Sequence, residues 1–197
     1  MQKFHDLLLA YSHADPEEQK TLEAELWSEY GHEAAIFVLD MSGFSLLTQK
    51  YGVIHYLSMV SRMHVTVRPI IEHHGGQVVK FEADNCFARF PTPTDAIQAA
   101  IEVNHTFNGM NLLTAEEFDI VISCGIDYGK FLLVEEGHDF FGNPINRASK
   151  LGEDLAERGE ILATQDAMDQ VLEGTVKSRI VNYSISGISL AAHRIEY

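Results

Sequence analysis

The stretch of sequence that decides the fold is residues 34–45, AAIFVLDMSGFS. Its first six residues are apolar, which predicts a buried strand at about 34–39. Asp40 stands where this strand stops, and Gly43 and a helical pattern at about 42–51 follow. A carboxylate at the end of a buried strand is costly unless it has a partner, and a divalent cation is one such partner. The alternative role of Asp40 is to cap the following helix.

A second carboxylate follows another strand, in residues 78–90, VVKFEADNCFARF. Runs of this kind on both sides of a short polar break predict a hairpin at about 77–90, with Asp84 in its turn. Two carboxylates brought together could hold Mg²⁺ against a polyphosphate. Lys80 lies within the first strand of the hairpin, where it has either Glu82 as an ion-pair partner or a bound ligand.

A third segment with chemical potential is residues 139–150, DFFGNPINRASK. It leads into a predicted helix at about 144–158 that Gly159 ends. Asn146 and Lys150 are four residues apart and therefore share one face of this helix. An amide and a cation on one face could hold a ribose and a phosphate, and a solvated helix face is the alternative.

The rest of the chain mixes helices with strands, which indicates an α+β fold rather than a purely parallel sheet. Residues 1–33 predict amphipathic helices, with Asp15 as the N-cap and Pro16 in the first turn of the second helix. This extension is either a lid that packs on the domain or a dimerisation or regulatory arm. The other predicted elements are helices at about 53–74 and 96–107, strands at about 119–127 and 130–135 joined by a turn at 128–129, a strand at 160–163, a helix at about 165–172, and two strand-rich runs within 179–196.

Charge and composition limit the partners of this protein. The 197 residues carry a formal net charge of -15, which argues against nucleic-acid binding and means that a nucleotide would need metal ions and local Lys or Arg to enter. No apolar run approaches membrane-spanning length, and the first residues do not resemble a signal peptide. We therefore expect a cytoplasmic protein with no membrane partner. Cys86 and Cys124 lie in apolar runs and are expected to be buried free thiols.

Taken together, the three segments resemble the class III nucleotidyl cyclases, the catalytic domains of adenylate and guanylate cyclases. Residues 125–129 and 159–162 add matching sheet turns, and the resemblance covers about residues 34–196. It implies a ferredoxin-like α+β domain at 34–197, with a mixed or antiparallel sheet flanked by helices, behind the helical extension at 1–33. The implied activity is the conversion of ATP to 3′,5′-cyclic AMP and pyrophosphate.

The resemblance also implies a metal centre and a phosphate site. Asp40 and Asp84 would bind two Mg²⁺ or Mn²⁺ ions, which support in-line attack of the ribose 3′-hydroxyl on the α-phosphorus. The segment of Ser42, Gly43 and Phe44 would hold the phosphates at the start of the next helix.

Base recognition and transition-state contacts are implied for four further residues. Lys80 and Asp139 would read the base, and this pair favours adenine, because the positions look like Glu and Cys in family members that use GTP. Asn146 would orient the ribose, and Lys150 would contact the transition state. Since the family forms its site between two subunits, the resemblance implies a homodimer, with the metal aspartates from one chain and these four residues from the other.

Three positions depart from the family pattern. Lys150 stands where the family usually has an arginine, and Ala83 replaces the glycine before the second metal aspartate. Residues 186–187 read Ser-Gly where many members have Lys-Gly, a lysine that meets the terminal phosphates; Arg147, Arg179 and Arg194 are the candidates to compensate. The departures at Lys150 and Ser186 leave open a non-catalytic cyclase-homology domain that binds a nucleotide or a partner. Because base selection depends on only two residues, a cyclase for GTP or a pyrimidine nucleotide is a second alternative.

Overall fold

The computed structural model describes residues 2–185 and 188–197. The helices are α1 (Gln2–His13), α2 (Pro16–Tyr30), α3 (Phe44–Tyr51), α4 (Val53–His73), α5 (Pro93–Asn111), α6 (Asn143–Ser149) and α7 (Gln165–Met168), with a π-helical segment at Lys150–Leu155 and 3₁₀ turns at Glu116–Phe118 and Glu135–Gly137. The strands are β1 (Gly31–Met41), β2 (Gln77–Glu82), β3 (Asn85–Phe90), β4 (Ile122–Val134), β5 (Asp139–Phe141), β6 (Ile161–Ala163), β7 (Lys177–Ile185) and β8 (Ile188–Glu196).

All eight strands form one mixed sheet, in the order β2-β3-β1-β4-β6-β8-β7, with β5 added to the far end of β4. Only the β4–β6 pair is parallel among the described strands. Strand β1 is central, and its Leu39 lies between Cys86 on β3 and Cys124 on β4. Both thiols are free and fully buried, as the sequence predicted. The predicted α+β class with a mixed, mostly antiparallel sheet is therefore confirmed.

The two faces of β1 enter different cores, because successive side chains of a strand point to opposite sides. Phe37 and Leu39 join the large core under α4 and α5. Ile36 and Val38 join a smaller core that α6 and Phe140 of β5 cover. Asp40 continues the alternation of Ile36 and Val38, so its side chain lies on the face of the sheet that carries the smaller core.

The N-terminal helices form a hairpin that packs on the end of the sheet. Asp15 caps α2 by accepting hydrogen bonds from the backbone N–H groups of Glu17 and Glu18, both at 3.0 Å, which confirms the predicted helix start. Phe4 of α1 is buried against Val134 of β4 and stacks on Phe141 of β5, with ring centroids 5.8 Å apart. The contacts agree with a lid that packs on the domain.

Two predictions about the C-terminal half of the chain are wrong. Residues 128–129 form no turn, because β4 runs unbroken from Ile122 to Val134 and pairs with β1 along its length. The glycine at 129 serves close packing instead, since a Cβ there would lie 3.0 Å from Pro144 Cγ. The predicted helix at 144–158 is α-helical only to Ser149 and then changes to the π-helical segment, which ends at Leu155.

Across the described residues, no helix has the length and apolar character needed to cross a bilayer.

Candidate active site

The structure brings Asp40 and Asp84 to the same end of the sheet. Asp40 pairs with Asn85 of β3 and with Ser123 of β4. Asp84 directly precedes Asn85, in the tight turn between β2 and β3. The two carboxylates therefore lie beside each other although 44 positions separate them in the sequence.

The electrostatics of this pair are those of an anion-rich site that would favour a cation. Burial raises the pKa of Asp40 to about 6, and the charges of Asp84, Glu153 and Asp154 add to the shift. Burial also raises the pKa of Asp84. Hydrogen bonds from its own backbone N–H and from the hydroxyl of Tyr56 lower the pKa and oppose this effect. The Tyr56 hydroxyl donates to Asp84 Oδ1 at 3.4 Å.

The capping role for Asp40 is not what the structure shows. Helix α3 begins after Gly43, at φ +84°, and receives no side-chain capping hydrogen bond. A glycine suits this left-handed conformation, and open space surrounds the position where a Cβ would stand. The backbone N–H of Ser42 already donates to Val121 O at 2.8 Å, so this group of the predicted phosphate segment is occupied within the chain.

The donor set of the pair fits Mg²⁺ or Mn²⁺ bound together with a nucleotide. Hard cations of this kind take carboxylate oxygens, and Mg²⁺ commonly uses one or two carboxylates plus substrate phosphates. Within the described part of the chain no group of three or more His, Cys, Asp or Glu side chains converges to hold a metal ion by itself. Asp40 and Asp84 would therefore leave coordination positions that water or phosphate oxygen atoms can fill.

A second pair of predicted residues, Lys80 and Asp139, also meets in the structure. Lys80 Nζ donates to Asp139 Oδ1 at 3.2 Å and lies 3.3 Å from Glu82 Oε2, so the ion pair with Glu82 and the contact with Asp139 coexist. Lys80 is opposite Phe87 in the strand register, and its ammonium stands 5.3 Å from the centroid of that ring. The carboxylate of Asp139 is held in place, because its Oδ1 accepts the backbone N–H of Phe140 at 3.0 Å.

Asn146 lies in the middle of α6, and Lys150 is the first residue of the π-helical segment that follows. Asn146 is exposed. Lys150 Nζ donates to Asp154 Oδ2 at 2.6 Å, and both side chains of this ion pair are partly exposed. Among residues 2–185 and 188–197, no hydrogen bond or ion pair joins Asn146 or Lys150 to the Asp40 or Lys80 pairs.

The departures from the family pattern have structural counterparts. Ala83 has φ +53°, so the turn before Asp84 does use the left-handed conformation that a glycine would adopt without strain. The Ser-Gly at 186–187 lies outside the described residues. Of the three arginines that could compensate, Arg147 is bound to Asp127 and Asp166, Arg194 is bound to Glu160 at 2.8 Å, and Arg179 is exposed on β7.

Sequence reasoning missed two residues that act on Asp40 and Asp84. Tyr56 lies on α4, and nothing in its local pattern marks it as a donor to Asp84. Glu153 belongs to the π-helical segment and adds negative charge near Asp40 and Asp84. Glu153 follows Lys150 by three residues in the predicted helix, so the sequence could have placed both side chains on the same helix face.

Comparisons with known proteins agree with this fold. No protein-family model matches the chain. It is 26% identical over 141 residues to a putative adenylate cyclase 3 of Rhizobium meliloti, which covers 72% of this chain but only 23% of that protein. The chain thus spans about a quarter of the length of this relative.

Solved structures of cyclase domains superpose on most of the chain. The adenylyl cyclase CyaB from P. aeruginosa has a TM-score of 0.73 and 17% identity, covering 85% of this chain and 95% of that one. The catalytic core of a rhodopsin-guanylyl cyclase with converted specificity, in complex with ATPαS, has a TM-score of 0.72 and 14% identity, covering 84% and 98%. The resemblance found in the sequence is therefore confirmed, and the chain has the fold of a class III nucleotidyl cyclase catalytic domain.

Proposed function

We propose that this chain is the catalytic domain of a nucleotidyl cyclase that converts ATP to 3′,5′-cyclic AMP and pyrophosphate. The observation that carries the proposal is the juxtaposition of Asp40 and Asp84, whose mutual repulsion and burial favour a bound cation. The cyclase fold supports the reaction class, and the relative named a putative adenylate cyclase agrees with it.

Asp40 and Asp84 would hold Mg²⁺ or Mn²⁺ in this proposal. The ions, when bound, lower the pKa of the ribose 3′-hydroxyl and offset the charge that develops on the phosphates. The positions of the two carboxylates would determine where the ions bind, and therefore where on the nucleotide this charge is offset. The -15 charge of the chain makes such neutralisation necessary for a polyphosphate to approach.

The nucleotide base is assigned to Lys80 and Asp139. A lysine ammonium donates to the N1 acceptor of adenine, and a carboxylate accepts from its exocyclic amine. The 3.2 Å contact between the two side chains holds both groups at one place before a base enters. Their complementarity to adenine favours ATP over GTP, whose base presents a carbonyl oxygen and a protonated N1 there.

Asn146 and Lys150 are assigned to the ribose and to the transition state, from the second subunit of a homodimer. The ion pair of Lys150 with Asp154 within one chain has to open for this role. A lysine also lacks the planar fork of the usual arginine. Both features favour slow turnover.

One experiment tests the reaction. Purified protein is incubated with each of the four nucleoside triphosphates and Mn²⁺, and cyclic products are identified by mass spectrometry. Cyclic AMP alone is the expected product. Turnover should be lost in Asp40→Ala and kept in the matched control Asp6→Ala, a change at an exposed position, and this difference would assign the activity to the proposed site. A different cyclic nucleotide would refute the assignment of Lys80 and Asp139 to adenine. The absence of a cyclic product with all four triphosphates would refute the proposal that the chain is a cyclase.

A mixing experiment tests the shared site. Asp40→Ala and Asn146→Ala are each expected to be inactive, but half of the dimers in an equal mixture would contain one copy of each. One of the two sites in these dimers is intact, so about a quarter of the wild-type activity should return. If the mixture stays as inactive as its components, the two groups of residues act within one chain.

A further inference from the structure

The guanidinium of Arg147 joins α6 to the centre of the sheet. Its Nε donates to Asp127 Oδ2 at 2.5 Å and its Nη2 to Asp127 Oδ1 at 3.1 Å, a two-point contact that the planar fork of an arginine makes and an ammonium does not. The same Nη2 donates to Asp166 Oδ2 at 2.6 Å. The side chain of Asp127 is 0% exposed, whereas that of Asp166 is 54% exposed.

Asp127 is a fixed point within the fold. Its Oδ1 accepts the backbone N–H of Tyr128 at 2.7 Å and the hydroxyl of Thr164, which follows β6. Burial raises the pKa of the Asp127 carboxyl, and these hydrogen bonds and the charge of Arg147 oppose the shift. A group of β4 and the residue that follows β6 therefore orient the carboxylate independently of Arg147.

Helix α6 depends on such an anchor for its orientation. It starts after Gly142 with no side-chain capping hydrogen bond and passes into the π-helical segment after Ser149, and short helical segments are unstable without tertiary contacts. Pro144 and Ala148 are buried and set how closely the helix approaches the sheet. Apolar contacts of this kind are non-directional, whereas the fork on Asp127 fixes the rotation about the helix axis.

Arg147 follows Asn146 directly and precedes Lys150 by three residues, so a rotation of α6 moves both. We propose that Arg147 is a positioning residue of the candidate active site, which sets the placement of Asn146 and Lys150 through its contact with Asp127. This inference rests on the proposed function. It also gives Arg147 a role other than that of a phosphate ligand, because its Nε and Nη2 are already bound to Asp127 and Asp166.

The test compares Arg147→Lys with Asp166→Asn, which removes the exposed partner of the same guanidinium. Arg147→Lys is expected to lower kcat for cyclic AMP formation about 10–100-fold per folded molecule, with KM for ATP within about threefold. Asp166→Asn should leave kcat within about twofold, because exposed ion pairs contribute little. If Arg147→Lys fails to fold, Asp127→Asn, which keeps the shape and one acceptor oxygen, is measured in the same way with the same expectation.

Hydrogen exchange of the α6 amides gives a readout that does not need turnover. Arg147→Lys should speed exchange at residues 143–150 about tenfold or more and leave β1 unchanged. Unchanged exchange in α6 would overturn the anchoring role, and faster exchange with an unchanged kcat would overturn the positioning role. Failure of the proposed function would show differently, as an absence of product from the wild-type protein itself.

Discussion

Replacing Asp40 with asparagine is expected to stabilise the metal-free protein while it removes the metal site. Burial and the neighbouring carboxylates raise the pKa of Asp40 from 3.8 to about 6, so its ionised form is disfavoured in the folded state. A shift of this size corresponds to about 3 kcal/mol, and solvent screening of a half-exposed group reduces it to about 1–2 kcal/mol. The asparagine side chain carries no charge and avoids this cost.

The sign of the pH dependence follows from the direction of the shift. Because the pKa is higher in the folded state, the stability that a protonated Asp40 provides is full below about pH 4 and is lost as the pH rises through about 6. Wild type and Asp40→Asn should therefore have similar stability at pH 4. At pH 8 the variant should be more stable by about 1–2 kcal/mol, or about 2–8 °C in Tm.

Urea unfolding in the presence of EDTA, at pH 4 and at pH 8, measures this difference. Asp6→Asn, an exposed position on α1, is the control and should change the unfolding free energy by less than about 0.5 kcal/mol at either pH. An Asp40→Asn variant that is less stable than wild type at pH 8, or that gains equally at both pH values, would refute the electrostatic reasoning. With Mn²⁺ present only the wild type should gain stability, since the variant lacks one of the two proposed ligands.

Three further changes test other parts of the structure. Ala83→Gly should raise the unfolding free energy by up to about 1 kcal/mol in urea titrations, because glycine adopts φ +53° without strain; a loss would show that the turn is relaxed. Tyr56→Phe should weaken Mn²⁺ binding roughly tenfold by calorimetry, through loss of the hydroxyl that donates to Asp84, and unchanged affinity would show that this contact has no influence. Phe4→Ala should destabilise the protein by about 3 kcal/mol and speed hydrogen exchange in α1 and α2, whereas exchange at the rate of the wild type would mean that the hairpin does not depend on this ring.

Much of the fold could be predicted from local patterns. The apolar run before Asp40, the hairpin around Asp84 and the Asp15–Pro16 helix start each carry a strong short-range signal, and the structure has the corresponding elements. The contact between Lys80 and Asp139 spans 59 positions, so no local pattern contains it. Only the resemblance to a family pairs these two residues at the level of sequence.

The errors arise where a glycine or a helix has a tertiary role. Gly129 has the local pattern of a turn residue, but it lies inside β4, where it pairs with Ala34 of β1 and a Cβ would crowd Pro144. The switch from α6 to a π-helical segment at Lys150 could not be predicted from the local pattern, since π-helical turns are rare and occur mostly inside helices that are otherwise α-helical. The bond between Arg147 and Asp127 escapes prediction for a third reason: a buried aspartate inside an apolar strand reveals its partner only in three dimensions.

The two cysteines on either side of Leu39 offer a chemical view of how the sheet opens. Both thiols are buried in the large core under α4 and α5, and burial raises the pKa of each, so neither reacts with an alkylating reagent while this core stays closed. Each labelling event then records an opening of the core next to Leu39, one residue before Asp40. The labelling rate, followed with and without Mn²⁺ and nucleotide, thus measures how often the core behind the strand that carries this aspartate opens.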